Sequence, residues 1–376
     1  MAAAALTTHY ESVSVSAAQR PLCLGIDIGG TNIKFGVVDD RGRPVCKSHV
    51  PTLEERGPAE AIIRVHAAVL DLLAEAGLQA SDLSAVGLAT PGTMDIAQGL
   101  LLEPHNLPHW FNFPIRDTVS RQFNLPTAYA NDANAAAYGE FWVGRGRQFH
   151  SIVLLTLGTG VGGGIIIGDL SIDGENSHGS ECGHIIIDCN PTARLCPCGH
   201  RGHLEAYCSA TALVKQATEV LGSGRKSSLT MRIDDGHPLT ALMIAEEAEK
   251  GDPLSRELVA ELATYLGFGI VTLMHTIDPG AVVLGGAMNF GGPDTDLGRE
   301  FLERVRTVVR QNAFPIPAQR TTIDFALLEG DAGFIGAAGI ARLDCLKRHI
   351  QPPQIDTACR VDWTGAGPKP LANEQR

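Results

Sequence analysis

The sequence lacks a segregated cluster of basic residues. Its 376 residues include 30 lysines and arginines against 42 aspartates and glutamates, which gives a formal net charge of −12. A field of this sign repels a polyanion such as DNA unless a basic patch is set apart from it. We therefore expect no nucleic-acid partner.

The sequence also lacks the patterns of a secretory signal and of a membrane span. Residues 1–21 have no basic region and no sustained apolar run before a small-residue cleavage site. The longest apolar stretch, residues 262–277, is interrupted by Gly267, Gly269 and His275 and is too short to cross a bilayer. We expect a buried core helix there, a cytoplasmic protein and no membrane partner.

Two other classes of feature are missing. Nine cysteines in a long chain without a secretion signal favour free thiols and a metal over a disulfide framework. The P-loop motif G-x-x-x-x-G-K-[ST] is absent. Gly158, Gly160 and Gly163 satisfy G-x-G-x-x-G, but residues 164–167 are typical of a strand where a dinucleotide-binding fold requires a helix. The sequence therefore argues against both of these nucleotide-binding folds.

The pattern that is present is that of an α/β protein. A chain of this length with 44% hydrophobic residues can form two globular cores, so we expect two domains. Apolar β-branched runs alternate with helical patterns. The predicted strands are 22–28, 32–39, 86–89, 127–130, 152–157, 164–167 and 281–284. The predicted helices are 58–76, 133–141, 210–221, 253–277, 296–310 and 333–346. The first helix is predicted to place five apolar residues on one side: Ile62, Ile63, Val69, Leu70 and Leu73.

One segment of the sequence recurs. GIDIGGTNIKFGVV (25–38) and LLTLGTGVGGGIII (154–167) each show the pattern of a strand, a turn of glycine and threonine, and a second strand. We interpret them as two copies of one hairpin, each opening one domain. Backbone N–H groups of two such turns can hold a phosphate chain between the domains. The alternative is a pair of ordinary hairpins whose glycines only form tight turns.

Six segments in order resemble the motifs of ROK-family sugar kinases, most closely those of bacterial glucokinases. They are DIGGTNIKFG (27–36), NDANAAAYGE (131–140), LGTGVGGG (157–164), ECGH (181–184), CPCGHRGHLEAY (196–207) and DPGAVVLGGAM (278–288). The resemblance covers residues 22–345. It implies the two-domain actin-like, hexokinase-like ATPase fold with duplicated ribonuclease H-like domains, and a homodimer or homotetramer.

The resemblance also suggests domain boundaries. We expect a flexible tail at 1–20 and a small N-terminal α/β domain at 21–130, to which the C-terminal helix 331–348 returns. A larger C-terminal α/β domain with a zinc loop is expected at 131–330, followed by an extension at 349–376.

Asp132 is the predicted general base. Phosphoryl transfer depends on positioning and charge neutralisation, with a carboxylate that orients the attacking hydroxyl. Asp132 lies between a predicted strand and an alanine-rich helix, a position that faces the cleft in an open α/β sheet. Its residue type alone is equally consistent with a helix cap; the resemblance favours catalysis.

We expect ATP and Mg²⁺ at the two turns. Asp27 ends the first predicted strand, where a carboxylate can hold Mg²⁺ through water; it could equally stabilise the turn. The residues predicted to surround the phosphates are Gly30, Thr31, Lys34, Gly158, Thr159 and Gly160. Lys34 could instead be a solvated strand residue. By resemblance, Gly285 and Gly286 lie against the adenosine.

The resemblance places the sugar among polar groups that can hydrogen-bond several hydroxyls. The side chains are those of Asn131, Asp132, Glu181, His184 and Glu205. The backbone of Gly92 is expected to contribute as well.

A structural zinc site is the third expectation from the resemblance, with His184, Cys196, Cys198 and residue 203 as ligands. The sequence departs from the family at this point, because position 203 is histidine where cysteine is usual. Histidine is a competent zinc ligand. Cys182, Cys189 and Cys208 are alternative fourth ligands, and absence of zinc is a further alternative.

The resemblance therefore implies an ATP-dependent glucokinase acting on the 6-hydroxyl of D-glucose, with sugar and nucleotide as its small-molecule partners. The alternatives are a kinase for N-acetylmannosamine or for another hexose such as fructose, a ROK sugar-sensing repressor, and an inactive sugar-binding scaffold. A repressor is disfavoured because only 26 residues precede Asp27 and they form no basic segment. Polyphosphate stays open as a second phosphoryl donor.

Overall fold

The structure, a computed structural model, describes residues 12–104 and 107–349. The predicted tail at 1–20 therefore lies partly, and the predicted extension at 349–376 almost wholly, outside the described residues. The described residues form twelve strands and eleven α-helices.

The strands, numbered in chain order, fall into three sheets. They are β1 (Leu22–Ile28), β2 (Asn32–Val38), β3 (Pro44–Pro51), β4 (Leu83–Thr90), β5 (Thr93–Asp95), β6 (Leu100–Glu103), β7 (Thr127–Asn131), β8 (Ser151–Leu157), β9 (Val161–Ile167), β10 (Leu170–Ser171), β11 (Ala281–Gly285) and β12 (Thr322–Phe325).

The helices occupy the connections between these strands and the end of the described chain. They are α1 (Pro58–Glu75), α2 (Ile115–Phe123), α3 (Asp132–Trp142), α4 (Glu205–Cys208), α5 (Ala210–Gly222), α6 (Ser228–Asp234), α7 (Ala241–Glu249), α8 (Pro253–Ile277), α9 (Asp296–Asn312), α10 (Pro315–Arg320) and α11 (Ala332–His349).

Two five-stranded sheets share one topology. The first has the order β3-β2-β1-β4-β7 and the second the order β10-β9-β8-β11-β12. In each, the first three strands in this order pair antiparallel and the last two join in parallel. The hairpins β1–β2 and β8–β9 hold equivalent places in the two sheets. The repeat seen in the sequence is therefore a repeat of topology.

Helices α3 and α11 join the two sheets. Helix α3 connects β7 of the first sheet to β8 of the second, and α11 follows β12 but packs on β1 and β4 of the first sheet. The approach is close: a Cβ at Gly25 would lie 1.8 Å from the carbonyl oxygen of Phe334. A Cβ at Gly336 would lie 1.6 Å from the carbonyl oxygen of Ala135. Only glycine permits backbone contact this close.

Helix α8 is the one described helix that is long and apolar enough to cross a membrane by length and composition. Within its most apolar window 56% of the helix is buried inside the protein. Leu262, Leu266 and Ile270 are fully buried in the core of the second sheet. Helix α8 is therefore packed as a core helix, as the interruptions in its sequence predicted.

The predicted apolar face of α1 is wrong for two of its five residues. Ile62, Val69 and Leu73 are buried, whereas Ile63 is 58% and Leu70 is 42% exposed. The buried side is completed by Ala61 and Val65 instead. Residues 62, 65, 69 and 73 follow the three- and four-residue spacing of one helix face, and residues 63 and 70 fall outside it.

Candidate active site

A cleft with a volume of about 650 Å³ lies between the two sheets. Its walls come from the loop after β4, the start of α3, the β8–β9 turn, the loop before α4 and the segment after β11. The predicted site residues that line it are Gly92, Asn131, Asp132, Gly158, Thr159, Gly160, Glu181, His184, Cys198, Glu205 and Gly286. Residues distant in the chain thus meet at one surface.

Asn131 and Asp132 divide two tasks at the start of α3. The side chain of Asn131 caps the helix, because its Oδ1 accepts hydrogen bonds from the N–H of Ala133 at 2.9 Å and of Asn134 at 3.4 Å. Asp132 is the first helical residue, and its Oδ1 accepts from Ala133 at 2.7 Å. Among the described residues no side chain donates a hydrogen bond to Asp132. Its carboxylate is therefore available to a hydroxyl in the cleft.

Asp27 and Asp132 lie at the same edge of the first sheet. Asp27 on β1 pairs with Ala89 on β4, which in turn pairs with Ala130 on β7, two residues before Asp132. Because parallel strands end together, the two carboxylates lie near each other, close enough for the charge of Asp132 to act on Asp27. Two acidic side chains so placed are a suitable environment for a cation.

Burial changes the acidity of both carboxylates. It raises the pKa of Asp132 to about 6, and the nearby Glu181 contributes to the rise while the hydrogen bond from Ala133 opposes it. Burial likewise raises the pKa of Asp27 to about 7; the charge of Asp132 adds to the shift and that of Lys34 opposes it. A carboxylate with a pKa near 6 is ionised at neutral pH and is still a useful proton acceptor.

The two hairpin turns present unpaired backbone donors. Among the described residues, the N–H groups of Thr31, Thr159 and Gly160 make no hydrogen bond. A hydrogen bond to a backbone carbonyl anchors each turn. Thr52 N–H donates to Thr31 O at 2.8 Å, and Thr211 Oγ1 donates to Thr159 O at 2.8 Å. Anchored turns with free N–H groups are suited to an anion such as a phosphate chain.

Lys34 is held away from the open cleft. Its Nζ donates a 2.7 Å hydrogen bond to the carbonyl oxygen of Gly330, in the segment that leads to α11. That segment also contacts Asp27, because a Cβ at Gly333 would lie only 2.2 Å from Asp27 Oδ2. The structure therefore places Lys34 as a link between β2 and the start of α11.

Polar groups converge at the other end of the cleft. His184 Nε2 lies 3.9 Å from Glu181 Oε2, and the Glu181 side chain is 52% exposed. Glu205 Oε2 accepts a hydrogen bond from the N–H of Val161, at the start of β9, at 2.9 Å. A carboxylate, an imidazole and the amide of Asn131 together offer both donors and acceptors to hydroxyl groups.

Four side chains beside this region form a candidate metal centre. The ligand atoms of His184, Cys196, Cys198 and His203 all lie within 4.8 Å of one another. His184 Nδ1 is 3.3 Å from His203 Nδ1, and Cys198 Sγ is 3.2 Å from His203 Nδ1. Separations of roughly 3–4 Å are those of ligands around a tetrahedral Zn²⁺ with bonds of about 2.0–2.3 Å. The donor set therefore fits zinc, with His203 in the fourth position.

The other cysteines lie outside this group. Cys182 and Cys208 are buried, and the Cys208 thiol donates to the carbonyl of Leu262 at 3.5 Å. Cys189 is exposed and is not among the four. Burial and neighbouring imidazoles lower the pKa of His203, which favours the neutral ring that a metal ligand requires.

The sequence and the fold match known proteins over most of the chain. The ROK family profile matches residues 23–343. A glucokinase of Halalkalibacterium halodurans is 33% identical over 85% of this chain and 94% of its own length. The chain belongs to the ROK family. This membership, with the duplicated sheets, confirms the predicted actin-like, hexokinase-like fold.

Other ROK proteins match as well. The structure of a Streptomyces griseus ROK glucokinase in complex with glucose and AMPPNP is 33% identical, with a TM-score of 0.68 over 86% of this chain and all of that one. An N-acetylmannosamine kinase of Salmonella paratyphi B is 29% identical over 86% of this chain and 99% of its own length. A xylose repressor of Caldicellulosiruptor bescii is 30% identical over 69% of this chain and 63% of its own length. The glucokinases support a ROK sugar kinase, a phosphotransferase, as the class of this chain, and the repressor shows that the family also contains regulators.

Five predicted nucleotide-site residues of this ROK protein do not line the cleft. They are Asp27, Gly30, Thr31, Lys34 and Gly285. Asp27, Gly30 and Thr31 belong to the β1–β2 hairpin and its turn, beside the cleft, whereas Gly285 is buried at the end of β11. Gly286 does line the cleft, but its φ of +92° and the backbone of Leu157, 2.2 Å from an added Cβ, are what require glycine there. Backbone conformation and packing therefore explain why position 286 is glycine, and space for an adenine base is not needed as a reason.

Several residues that line the cleft were not predicted from the sequence, and two of them are polar residues of one loop. His178 and Ser180 stand in the loop before Glu181. In the same loop, Ser177 Oγ accepts a 3.0 Å hydrogen bond from the N–H of Ile96, which follows β5. The polar run ENSHGSE (175–181) between β10 and the metal-site segment was the available signal.

Proposed function

We propose that this chain is an ATP-dependent glucokinase that transfers a phosphoryl group to the 6-hydroxyl of D-glucose, with Asp132 as the general base. The observation that carries the proposal is the position of Asp132. Its carboxylate, with a pKa raised to about 6, lines the same cleft as the β8–β9 turn and its unpaired N–H groups. A proton acceptor beside a phosphate-binding turn is the arrangement that a hydroxyl nucleophile requires.

In this mechanism Asp132 accepts a hydrogen bond from the sugar hydroxyl and takes its proton as the oxygen attacks the terminal phosphorus of ATP, whose bond to the bridging oxygen breaks and releases ADP. Asn131 caps α3, and the described residues give the Asp132 side chain one hydrogen bond to the helix, from Ala133 to Oδ1, so its other oxygen is available to the hydroxyl. The N–H groups of Thr31, Thr159 and Gly160 would hold the phosphate chain from two sides. Positioning of this kind accounts for most of the catalysis of phosphoryl transfer.

Asp27 is the residue we assign to Mg²⁺. A carboxylate whose pKa is raised to about 7 by burial and by a neighbouring acid is destabilised as an anion, and a divalent cation relieves that cost. Bound Mg²⁺ would neutralise charge on the nucleotide phosphates. Lys34, hydrogen-bonded to Gly330, would hold the hairpin that carries Asp27 in place.

The sugar is assigned to Gly92, Asn131, Glu181, His184 and Glu205 in addition to Asp132. Glucose is favoured over other hexoses because the matched Halalkalibacterium halodurans protein is a glucokinase and the Streptomyces griseus structure contains glucose. The alternative acceptor is N-acetylmannosamine, on the evidence of the Salmonella kinase. ATP is the preferred donor because the same Streptomyces structure contains AMPPNP.

We assign a structural zinc ion to His184, Cys196, Cys198 and His203. His184 would bind it through Nδ1, which faces His203, and its Nε2 faces Glu181 in the cleft. One ring would then serve both the metal and the sugar pocket, which fixes the ring's orientation. A cytoplasmic location and a homodimer or homotetramer stay predictions from the sequence.

An activity panel with purified protein tests the assignment. Glucose, N-acetylmannosamine and fructose are compared as acceptors, and ATP and polyphosphate as donors, by kcat/KM; NMR of the product identifies the phosphorylated hydroxyl. Glucose with ATP should have the highest kcat/KM.

The variant Asp132→Asn should lose turnover but keep sugar affinity. Its matched control is Asp296→Asn, because Asp296 is likewise the first residue of a helix but is 85% exposed. Turnover by Asp132→Asn near that of the control would contradict the general-base role, and DNA binding in a gel shift without turnover would favour a repressor.

A further inference from the structure

The chain passes between the two sheets at two places within the described residues. The first crossing runs from β7 through α3 to β8, and the second runs from β12 through residues 326–331 to α11. A change in the angle between the two halves must bend the chain at these crossings. The contacts between them therefore bear on how the halves can move.

Glu140, in the last turn of α3, connects the two crossings directly. It is fully buried. Its Oε1 accepts hydrogen bonds from the backbone N–H of Leu327 at 2.8 Å and of Leu328 at 2.6 Å. Its Oε2 accepts from the N–H of Arg145 at 2.7 Å. One carboxylate thus satisfies three backbone donors from two segments that are about 180 residues apart in the chain.

The surroundings of Glu140 are fitted to this arrangement. A Cβ at Gly144 would lie 2.2 Å from Glu140 Oε2, so a larger residue there would displace the carboxylate. Arg145 Nε donates to the carbonyl oxygen of Phe325, at the end of β12, at 3.2 Å. Oε1 of Glu140 and the side chain of Arg145 therefore bind the second crossing to the first, while Oε2 of Glu140 fixes the backbone of Arg145 within the first crossing.

The second crossing continues directly to the first hairpin. Two residues after Leu328, the carbonyl oxygen of Gly330 accepts the hydrogen bond from Lys34. Three residues later, Gly333 packs against the carboxylate of Asp27. A segment fixed by Glu140 at one end thus contacts Asp27 and Lys34 at the other.

We propose that Glu140 is a positioning residue that ties the two crossings together and so holds the β1–β2 and β8–β9 turns in register across the cleft. The proposal deepens the proposed kinase function and rests on it, because two aligned turns matter only if they grip one phosphate chain. Glu140 itself touches neither substrate. Its effect passes through residues 327–333 to Asp27.

The test compares Glu140→Gln with Glu247→Gln. Glutamine keeps the shape but has one acceptor oxygen, so its NH₂ group faces at least one backbone donor. Glu247 is the matched control: it is also buried, but it binds Ser228, Arg232 and Lys250 in the α6–α7 region, away from both crossings. Hydrogen exchange of the backbone amides, Tm, kcat and the KM for sugar are measured for both variants and the wild type.

In Glu140→Gln we expect the backbone amide hydrogens of Leu327, Leu328 and Arg145 to exchange at least about tenfold faster than in the wild type. The reason is that each amide loses a hydrogen bond to a charged acceptor. We also expect kcat to fall roughly tenfold while the KM for sugar changes less than about threefold, because alignment is needed for transfer more than for sugar binding. Glu247→Gln should lower Tm without lowering kcat. The proposal is overturned if the three amides stay protected, if kcat of Glu140→Gln is unchanged, or if both variants lose kcat in proportion to Tm.

A second variant covers failure of Glu140→Gln to fold. Gly144→Ala keeps the glutamate but pushes its carboxylate away from Arg145, and it should give the same pattern of exchange and kcat. Normal kcat and normal exchange in Gly144→Ala would also overturn the proposal. Absence of wild-type turnover with every sugar would instead contradict the proposed kinase function. The hydrogen-exchange experiment would still decide whether Glu140 holds the two crossings together.

Discussion

Glu205 Oε2 and the backbone N–H of Val161 form a 2.9 Å hydrogen bond that joins the end of the metal-site loop to the start of β9. The other oxygen of Glu205 lies 3.6 Å from the Cys196 thiol. A Cβ at Gly160 would fall 2.4 Å from the same carboxylate. Glu205 therefore lines the cleft and contacts both the candidate metal centre and the β8–β9 turn.

Replacement of Glu205 should weaken the handling of both substrates. Glu205→Ala removes the acceptor of the Val161 N–H, and hydrogen bonds to a charged group contribute about 1.5–3 kcal/mol, so kcat/KM should fall about 10- to 100-fold for sugar and for ATP. Steady-state kinetics with each substrate varied gives the measurement. Glu219→Ala is the control, because Glu219 forms only a partly exposed ion pair with Arg194. An unchanged KM for ATP in Glu205→Ala would show that Glu205 does not support ATP binding at the β8–β9 turn.

The pH profile should show an acid limb with two origins. Asp132 must be ionised to accept a proton, so kcat/KM should fall as the pH drops below its pKa of about 6. Asp27, with a pKa of about 7, should bind Mg²⁺ only as a carboxylate. Raising the Mg²⁺ concentration should therefore move the Asp27 part of the limb to lower pH and leave the Asp132 part in place. A profile that stays flat down to about pH 5 would contradict the role of Asp132.

Metal content should follow His203. The wild type should contain one zinc per chain, and His203→Ala should lose it, whereas His203→Cys should retain it because both residue types bind zinc. Chelation should lower Tm by about 1–2 °C for each kcal/mol of binding free energy lost, because the unfolding entropy scales with chain length. His200→Ala is the control, because His200 stacks on His203 but is not one of the four ligands. Equal zinc content in His203→Ala and the wild type would remove His203 from the site.

Two glycines of the cleft should respond differently to alanine. Gly286 has φ +92°, and an added Cβ would lie 2.2 Å from Leu157 O, so Gly286→Ala should lower the free energy of unfolding by about 2 kcal/mol or more. At Gly158 an added Cβ meets nothing within 4 Å, so Gly158→Ala should change it by less than about 1 kcal/mol. Urea unfolding of both variants measures the difference. Equal stability of the two variants would show that the backbone near Gly286 relaxes.

The elements with strong local patterns could be predicted from the sequence. The predicted bounds of β1 and α8 agree with the structure, and the strand predicted at 86–89 extends to Leu83–Thr90. Strand β3 was missed because it lies at a sheet edge, begins and ends with proline, and carries exposed polar residues where a core strand has apolar ones. The short strand β12 has only four residues and offers little pattern.

The candidate site likewise has some features that the sequence predicted and others that it did not. Glycine and threonine spacing predicted both turns, because such turns need particular residues at fixed positions. The bond from Val161 to Glu205 spans 44 residues, and that from Leu327 to Glu140 spans 187. No local period encodes such contacts. The sequence could not predict that Asn131 caps α3 and leaves the Asp132 carboxylate available, since both residue types cap helices well.

The two sheets have the same strand order but very different connections after their third strands. The first sheet carries the single helix α1 between β3 and β4, whereas the second carries residues 172–280 between β10 and β11, including Glu181, His184 and Glu205. Three of the six residues proposed to bind the sugar thus belong to an insertion in one half, and the turns proposed to bind the nucleotide belong to the duplicated frame. Changes in this insertion would consequently alter half of the proposed sugar contacts and leave the strand order of the duplicated frame intact.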